Sequence, residues 1–343
     1  MKQQKITIHW ILGGALLLIG IFVVIIFILI RSQGAAPGTS LSVATAAPSV
    51  DTIKLCADSS SSPTACTHIT TAVGVTLTSG STGDFQIAGT LSDINGFADI
   101  INFEGALFNS SEAVNCTNVA DGDTAAEQAT CYFEDVTTTA GCTITGTSAT
   151  AGYFDCNLAL RYFATPTDDS SLAGEGGDPA DNWSVRGVAY DNGGLTGQGT
   201  AVTEINSLRA IGTTTGNNCT TIAFGSLTNG EATVDSSASG TDCVLTNDGN
   251  VDTDVSVSGI DMGCTFGSVP IANQRVNVTS GSYSDMSAGG TDLTGDAQNI
   301  NVALDHSTGT TVTESIYFAV SVPATGASGS CTGTNTVLAV SEL

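Results

Sequence analysis

The stretch Tyr153-Phe154-Asp155-Cys156-Asn157-Leu158-Ala159-Leu160-Arg161-Tyr162-Phe163 alternates apolar and polar residues. Phe154, Cys156, Leu158, Leu160 and Tyr162 fall on one face, while Asp155, Asn157 and Arg161 fall on the other. Successive side chains of a β-strand point to opposite faces, so this two-residue period predicts a strand with one side in a core and the other in water. Residues 72–77, 85–92, 100–108, 183–190 and 201–205 read as further strands of the same unit, and Trp183 is expected in its core. Downstream, residues 221–224, 243–247, 254–258, 275–279, 299–304, 315–322 and 336–340 repeat the style. In 315–322, Ile316, Phe318, Val320 and Val322 point inward; Ser315, Tyr317, Ala319 and Ser321 point outward. No amphipathic helix of useful length appears after the first 50 residues.

Short strands punctuated by Gly, Asn and Asp, with seven or eight to a unit of about 130–150 residues, are the sequence picture of a β-sandwich. A chain of 343 residues has room for two such units. The expected organisation is a terminal stub and apolar segment over 1–31, a stalk over 32–50, one sandwich over 51–206 and a second over 207–343. Hydrophobic residues make up 41 % of the chain, enough for real cores. Charged residues make up only 12 %, against about a quarter in ordinary domains. Ser, Thr, Gly, Asn and Asp take their place, and these favour turns and solvent-facing strand positions.

The charge is one-sided. All 33 acidic residues lie after Arg31, against five basic ones (Lys54, Arg161, Arg186, Arg209 and Arg275), so that portion carries −28. Such a field repels phosphate, which excludes nucleic acid and anionic lipid as partners for this portion. Ten cysteines follow residue 55, and none forms a C-x-x-C pair, which gives zinc ribbons and dithiol redox motifs no support. An even set on one side of an apolar segment reads as disulfides formed in an oxidising compartment. Pairing between sequence neighbours is expected: Cys56–Cys66, Cys116–Cys131, Cys142–Cys156, Cys219–Cys243 and Cys264–Cys331.

Residues 8–30 are almost uninterrupted hydrophobic side chains, long enough as a helix to cross a hydrocarbon core of ~30 Å. Trp10 lies near one boundary, Lys2 and Lys5 precede the segment, and Arg31 follows it. The positive-inside rule leaves the N-terminus cytoplasmic and sends the bulk of the chain outside, as a single-pass protein of the cell membrane. A cleaved signal peptide is the competing expectation, with Ala44-Thr45-Ala46 as its cleavage-like site, but its apolar region is normally shorter. A pilin-type leader lacks support, because Lys5-Ile6-Thr7-Ile8 offers neither the basic-Gly junction nor the early Glu. Residues 32–50 are small, Pro-containing and uncharged, a flexible spacer.

Three short signatures carry a resemblance. Asp93-Ile94-Asn95-Gly96-Phe97-Ala98-Asp99-Ile100 resembles a D-x-N-G-x-x-D-I signature. Phe224-Gly225-Ser226-Leu227, with Leu245-Thr246-Asn247-Asp248-Gly249-Asn250-Val251, resembles a paired FGxL and xTNxGNV signature. Between them, Trp183-Ser184-Val185 and Asp191-Asn192-Gly193 match a W-x-V…D-x-G strand end. Together they resemble tandem Ig-like β-sandwich surface proteins encoded by many uncultured archaea and small-genome bacteria, over residues 72–322. The resemblance implies an all-β chain of two tandem Ig-like sandwiches after a single transmembrane helix, anchored and extracellular. It carries no activity.

Catalytic constellations find no footing. Only His68 and His306 lie beyond the apolar segment, and G-x-S-x-G, H-E-x-x-H and P-loop motifs do not occur. The paired carboxylates of a glycosidase have no local sequence mark. No enzyme and no cofactor are expected, apart from structural calcium. Asp93, Asn95 and Asp99 are spaced so that a turn at Gly96 would converge three oxygen ligands of the kind calcium takes. The alternative is a β-turn whose Asp and Asn cap their own backbone. Asp248, Asn250, Asp252 and Asp254 mimic the start of an EF-hand loop, but Thr253 replaces its glycine and Gly259 its bidentate Glu, so a hairpin turn is expected there. Asn109, Asn115, Asn182, Asn218 and Asn277 head N-x-S/T sequons. A lysine–asparagine crosslink would have to use Lys54, which lies outside the expected strands.

The function expected from these features is structural or adhesive: an envelope coat, appendage or cell-contact component that self-associates or meets other envelope proteins. A monomeric module binding a glycan or protein is the alternative, with a filament subunit or a secreted hydrolase behind it. An aromatic content of 6 %, without a loop cluster of aromatics, favours the structural expectation.

Overall fold

The computed structural model describes residues 46–341, except 58–62, 64, 113–115, 117–126, 137–140, 169–174, 215–218, 237–241 and 288–289. The apolar segment 8–30 and most of the spacer lie outside the described residues. Among the described residues no helix is long and apolar enough to cross a membrane.

The chain from Ala46 onward forms one compact unit of strands and short 3-10 turns. Its first part contains β1 (Ser49–Cys56), β2 (Thr82–Ser92), β3 (Ile100–Asn109), β4 (Cys131–Asp135), β5 (Cys142–Gly146), β6 (Ala151–Arg161), β7 (Trp183–Asp191) and β8 (Thr196–Thr203). These make two antiparallel four-stranded sheets, ordered β1-β2-β6-β5 and β4-β3-β7-β8. The alternation of β6 does what its pattern predicts: Phe154, Cys156, Leu158 and Leu160 are buried against the other sheet. Phe154 stacks on Phe103 of β3 with ring centroids 3.9 Å apart. Trp183 is fully buried at the start of β7, and its Nε1–H donates to the Thr165 carbonyl at 2.9 Å. Gly105 of β3 sits directly over the Cys142–Cys156 bridge of the opposing sheet, where a Cβ would lie 2.7 Å from the Cys156 sulfur.

The second part contains β9 (Ile211–Thr213), β10 (Asp242–Asn247), β11 (Asp254–Gly259), β12 (Met262–Val269), β13 (Gln274–Asn277), β14 (Thr291–Asp292), β15 (Gln298–Asn299), β16 (Thr313–Val320), β17 (Ala327–Thr332) and β18 (Asn335–Val340). Three sheets result: β14-β13-β16-β10-β9, β15-β11-β18, and the two-stranded ribbon β12-β17. Leu245, Val276, Ile316 and Phe318 meet Val255 and Val257 in a second buried cluster, separate from the first. The architecture is all-β and sandwich-like, as expected.

Several expected strands end differently. Residues 72–77 form a turn with an isolated bridge from Val75 to Ile205. Residues 221–224 belong to no strand and pair with no described strand. In 299–304 only the first residue joins a strand, because Asn301 and Ala303 adopt left-handed φ values of 48° and 50°. The Asp254 carboxylate holds this bend by accepting the Ala303 N–H at 3.0 Å and the Asn299 side-chain amide at 3.2 Å. β1 begins inside the expected spacer, and it contains Lys54, which was expected outside the strands. The turn at Asp248-Gly249 is no hairpin, since β10 and β11 belong to different sheets.

Candidate functional site

The loop after β2 is built from its own backbone. Asp93 is buried, and its Oδ1 accepts the Asn95 N–H at 2.8 Å, while Gly96 N–H donates to the Asp93 carbonyl at 3.1 Å. Gly96 has φ of 138°, a region that glycine enters freely. Phe97 N–H bonds the Ala149 carbonyl and the Asn95 amide bonds the Ala46 carbonyl, so the loop is pinned to β5–β6 and to the chain entering β1. Asn95 and Asp99 are exposed, and Asp99 works through its backbone, accepting Asn192 N–H at 2.8 Å. The carboxylate oxygen Oδ2 of Asp93 is buried with no hydrogen-bond partner. Asp93 thus caps the turn through Oδ1. Among the described residues no group of three or more His, Cys, Asp or Glu side chains is placed to hold a metal.

The acidic run that mimics an EF-hand is dispersed. Asp248 takes a hydrogen bond from Thr246, Asp252 lies against His306, and Asp254 holds the 299–304 bend. Asn250 between them is fully buried. Its Oδ1 accepts Leu208 N–H at 2.6 Å, and its Nδ2 donates to the carbonyls of Ala164 and Asn206 at 3.0 and 3.2 Å. One side chain therefore ties the first cluster's loop, the connecting segment and the second part together.

A charged group flanks that tie. Arg209 bonds the Glu175 carboxylate and, through Nη1, the Asp252 carbonyl at 3.3 Å. His306 Nδ1 lies 2.5 Å from Asp252 Oδ1, which also accepts the His306 backbone N–H at 2.7 Å. Gly176, at φ of 85°, lets the ring sit where its Cβ would be. His68 bridges two chain segments instead: Nδ1 accepts Leu55 N–H at 3.1 Å and Nε2 lies 3.2 Å from the Val202 carbonyl. Both histidines are occupied in joining segments. Sequence reasoning missed this junction because Asp252 and His306 are 54 positions apart; the only local signal was the Asn-Asp-Gly-Asn run at 247–250.

All five expected disulfides are present, Cys56–Cys66, Cys116–Cys131, Cys142–Cys156, Cys219–Cys243 and Cys264–Cys331. Of the sequons, Asn109 is only 1 % exposed and its side-chain oxygen accepts two bonds from Ser111, so the folded chain has no room for a glycan there. Asn182 and Asn277 are half-buried, and Asn115 and Asn218 lie outside the described residues.

Two adjoining clefts open beside residues 219–227. One, of about 400 Å3, lies between Ile222 and Phe224 on one side and Cys331–Val337 on the other. The other, of about 540 Å3, runs past Leu227 to Val269 and Val320. Both mix apolar and hydroxyl side chains and contain no charged residue. Comparison with known protein families, with curated proteins and with solved structures found no match to this chain.

Proposed function

We propose that this chain is a membrane-anchored extracellular surface protein with a structural or adhesive role, carrying two tandem Ig-like sandwiches. The observation that carries the reading is the disulfide set. Five bridges, all downstream of the apolar run 8–30, belong in an oxidising exterior rather than a reducing cytosol. The strand order β1-β2-β6-β5 against β4-β3-β7-β8 supports the Ig-like assignment, because it is the order of an A-B-E-D sheet facing C′-C-F-G. The uncharged clefts favour a second reading, a tethered module that binds an uncharged ligand.

Lysine chemistry tests the location directly. Lys54 is the one lysine after Lys5. A membrane-impermeant amine reagent applied to intact cells should modify Lys54 and spare Lys2 and Lys5. Modification of Lys2 and Lys5 alone would reverse the orientation and remove the surface role. Light scattering with millimolar calcium, then excess chelator, tests calcium-linked assembly separately; particles unchanged in size would exclude calcium as the link.

A further inference from the structure

Among the described strands, β18 presents a long, regular and uncharged open edge. Among the described residues, β9, β14 and β15 expose edges of only two or three residues, and β4 and β5 of five, with Glu134 and Asp135 on β4. β1 carries Asp51, Lys54 and a register shift, and β8 is covered by it, with Gly197 against the Pro48 carbonyl. The ribbon β12–β17 is interrupted by a shift at Cys264/Phe266 and by Gly267 and Gly329 at positive φ. Short, charged, bulged or covered edges are how sheets avoid pairing with one another. β18 has none of these. It is six residues long, regular in its register with β11, uncharged, and leaves Leu338 49 % exposed.

The ground beside it is prepared as well. Residues 221–227 line the clefts, with Ile222, Phe224 and Leu227 packed against the core and Gly225 at a left-handed φ of 71°, and no backbone hydrogen bond joins them to another described residue. The residues that line the two clefts, and β18 itself, include no charged side chain, in a chain with 33 acids and eight bases. Two copies of so acidic a chain repel each other wherever their charged surfaces meet, and here they do not.

We propose that β18 pairs antiparallel with β18 of a second copy, joining β15-β11-β18 of each into one continuous sheet across a two-fold axis. The strand's own pattern sets the register. Asn335, Val337 and Ala339 face inward, whereas Thr336 and Leu338 face out. A slip of one residue would turn every inward side chain to the wrong face. Among the registers that match faces, the one with Leu338 opposite Leu338, Val337 opposite Ala339 and Thr336 opposite Val340 covers the apolar side chain that the strand leaves exposed. The pairing deepens the structural reading above and rests on it for bringing copies together.

The test uses the full chain, exported so that its cysteines oxidise, in mild detergent. Leu338→Cys chains should crosslink to dimers under oxidation, and Thr336→Cys chains should not, because Thr336 never meets itself. Light scattering should show the parent mass moving toward the dimer as salt rises from 10 to 300 mM, where like-charge repulsion is screened. Leu338→Lys should weaken the dimer at least tenfold while thermal unfolding stays that of the parent. Monomers at every salt concentration, equal crosslinking at 336 and 338, open-ended oligomers, or dimers indifferent to Leu338→Lys would each overturn the pairing. None of these outcomes depends on which side of a membrane the chain occupies, which the lysine experiment decides.

Discussion

Two tyrosines carry an alkaline signature. Burial pushes the Tyr190 hydroxyl up to about 12, helped by its 2.7 Å hydrogen bond to Glu104 and that group's charge. Burial also raises Tyr132, whose oxygen accepts the Arg161 N–H at 3.0 Å. A group whose folded pKa is raised stabilises the fold fully below its unfolded value, near 10, and loses that contribution as pH climbs through the folded value. Unfolding stability should therefore fall as pH rises from 10 through about 12. An ultraviolet titration should show a high-pH phenolate phase that shrinks in both Tyr132→Phe and Tyr190→Phe. A phase untouched by either change would contradict the burial argument.

Asp93 makes a second residue-level case. Its Oδ1 caps a turn while Oδ2 is buried without a partner. Asp93→Asn keeps the acceptor and removes a buried carboxylate oxygen that has no partner, so its urea midpoint should equal or exceed the parent's. Asp99→Ala should shift stability by no more than about 0.5 kcal/mol, because only the Asp99 backbone is bonded. A clear loss of stability in Asp93→Asn that appears only with calcium present would establish calcium at this loop.

At the scale of elements, the ribbon β12–β17 depends on its cross-strand disulfide. Two-stranded ribbons are marginal alone, and this one is exposed along most of both strands, with Phe266 71 % exposed. Replacing Cys264 and Cys331 with serine should raise hydrogen exchange in the ribbon at least tenfold while β10 and β16 keep their protection. Uniform acceleration throughout would mean that the bridge stabilises the whole fold instead. The same ribbon marks what sequence could not reveal. β6, β7 and β16 were legible because each buries one face, and burial is what writes a two-residue period. β12 and β17 bury neither face consistently, so Gly, Ser and Thr follow no rhythm. Residues 221–224 show the converse: Ile222 and Phe224 do turn inward, but periodicity reports burial and says nothing about a backbone partner. In 299–304 the alternation of Ile300, Val302 and Leu304 misled, because a distant carboxylate, Asp254, bends the chain through two left-handed residues. The candidate loop at 93–99 was legible as a turn, whereas the Asn250 junction depends on contacts between segments far apart in sequence.

At the scale of the molecule, Asn250 decides whether the two clusters unfold together. Asn250→Ala leaves the Leu208 N–H and the Ala164 and Asn206 carbonyls without their partner, a loss of about 1–3 kcal/mol for each buried group not reached by water. Calorimetry should then resolve two transitions where the parent shows one. A single transition, merely shifted downward, would place the coupling in Arg209, Glu175 and the packing around them.

The bridges also set how the chain responds to being pulled. β1 and β8 run side by side in the same direction, and the first part is entered at the start of one and left at the end of the other. Tension along the chain therefore drags these strands past each other lengthwise, so their contacts resist together instead of peeling one by one. Once they slip, the spans of 10, 15, 14, 24 and 67 residues enclosed by disulfides stay closed. Each enclosed residue withholds roughly 3.5 Å of extension. An oxidised molecule is a short tether that stiffens early, and reduction converts it into a long and yielding one.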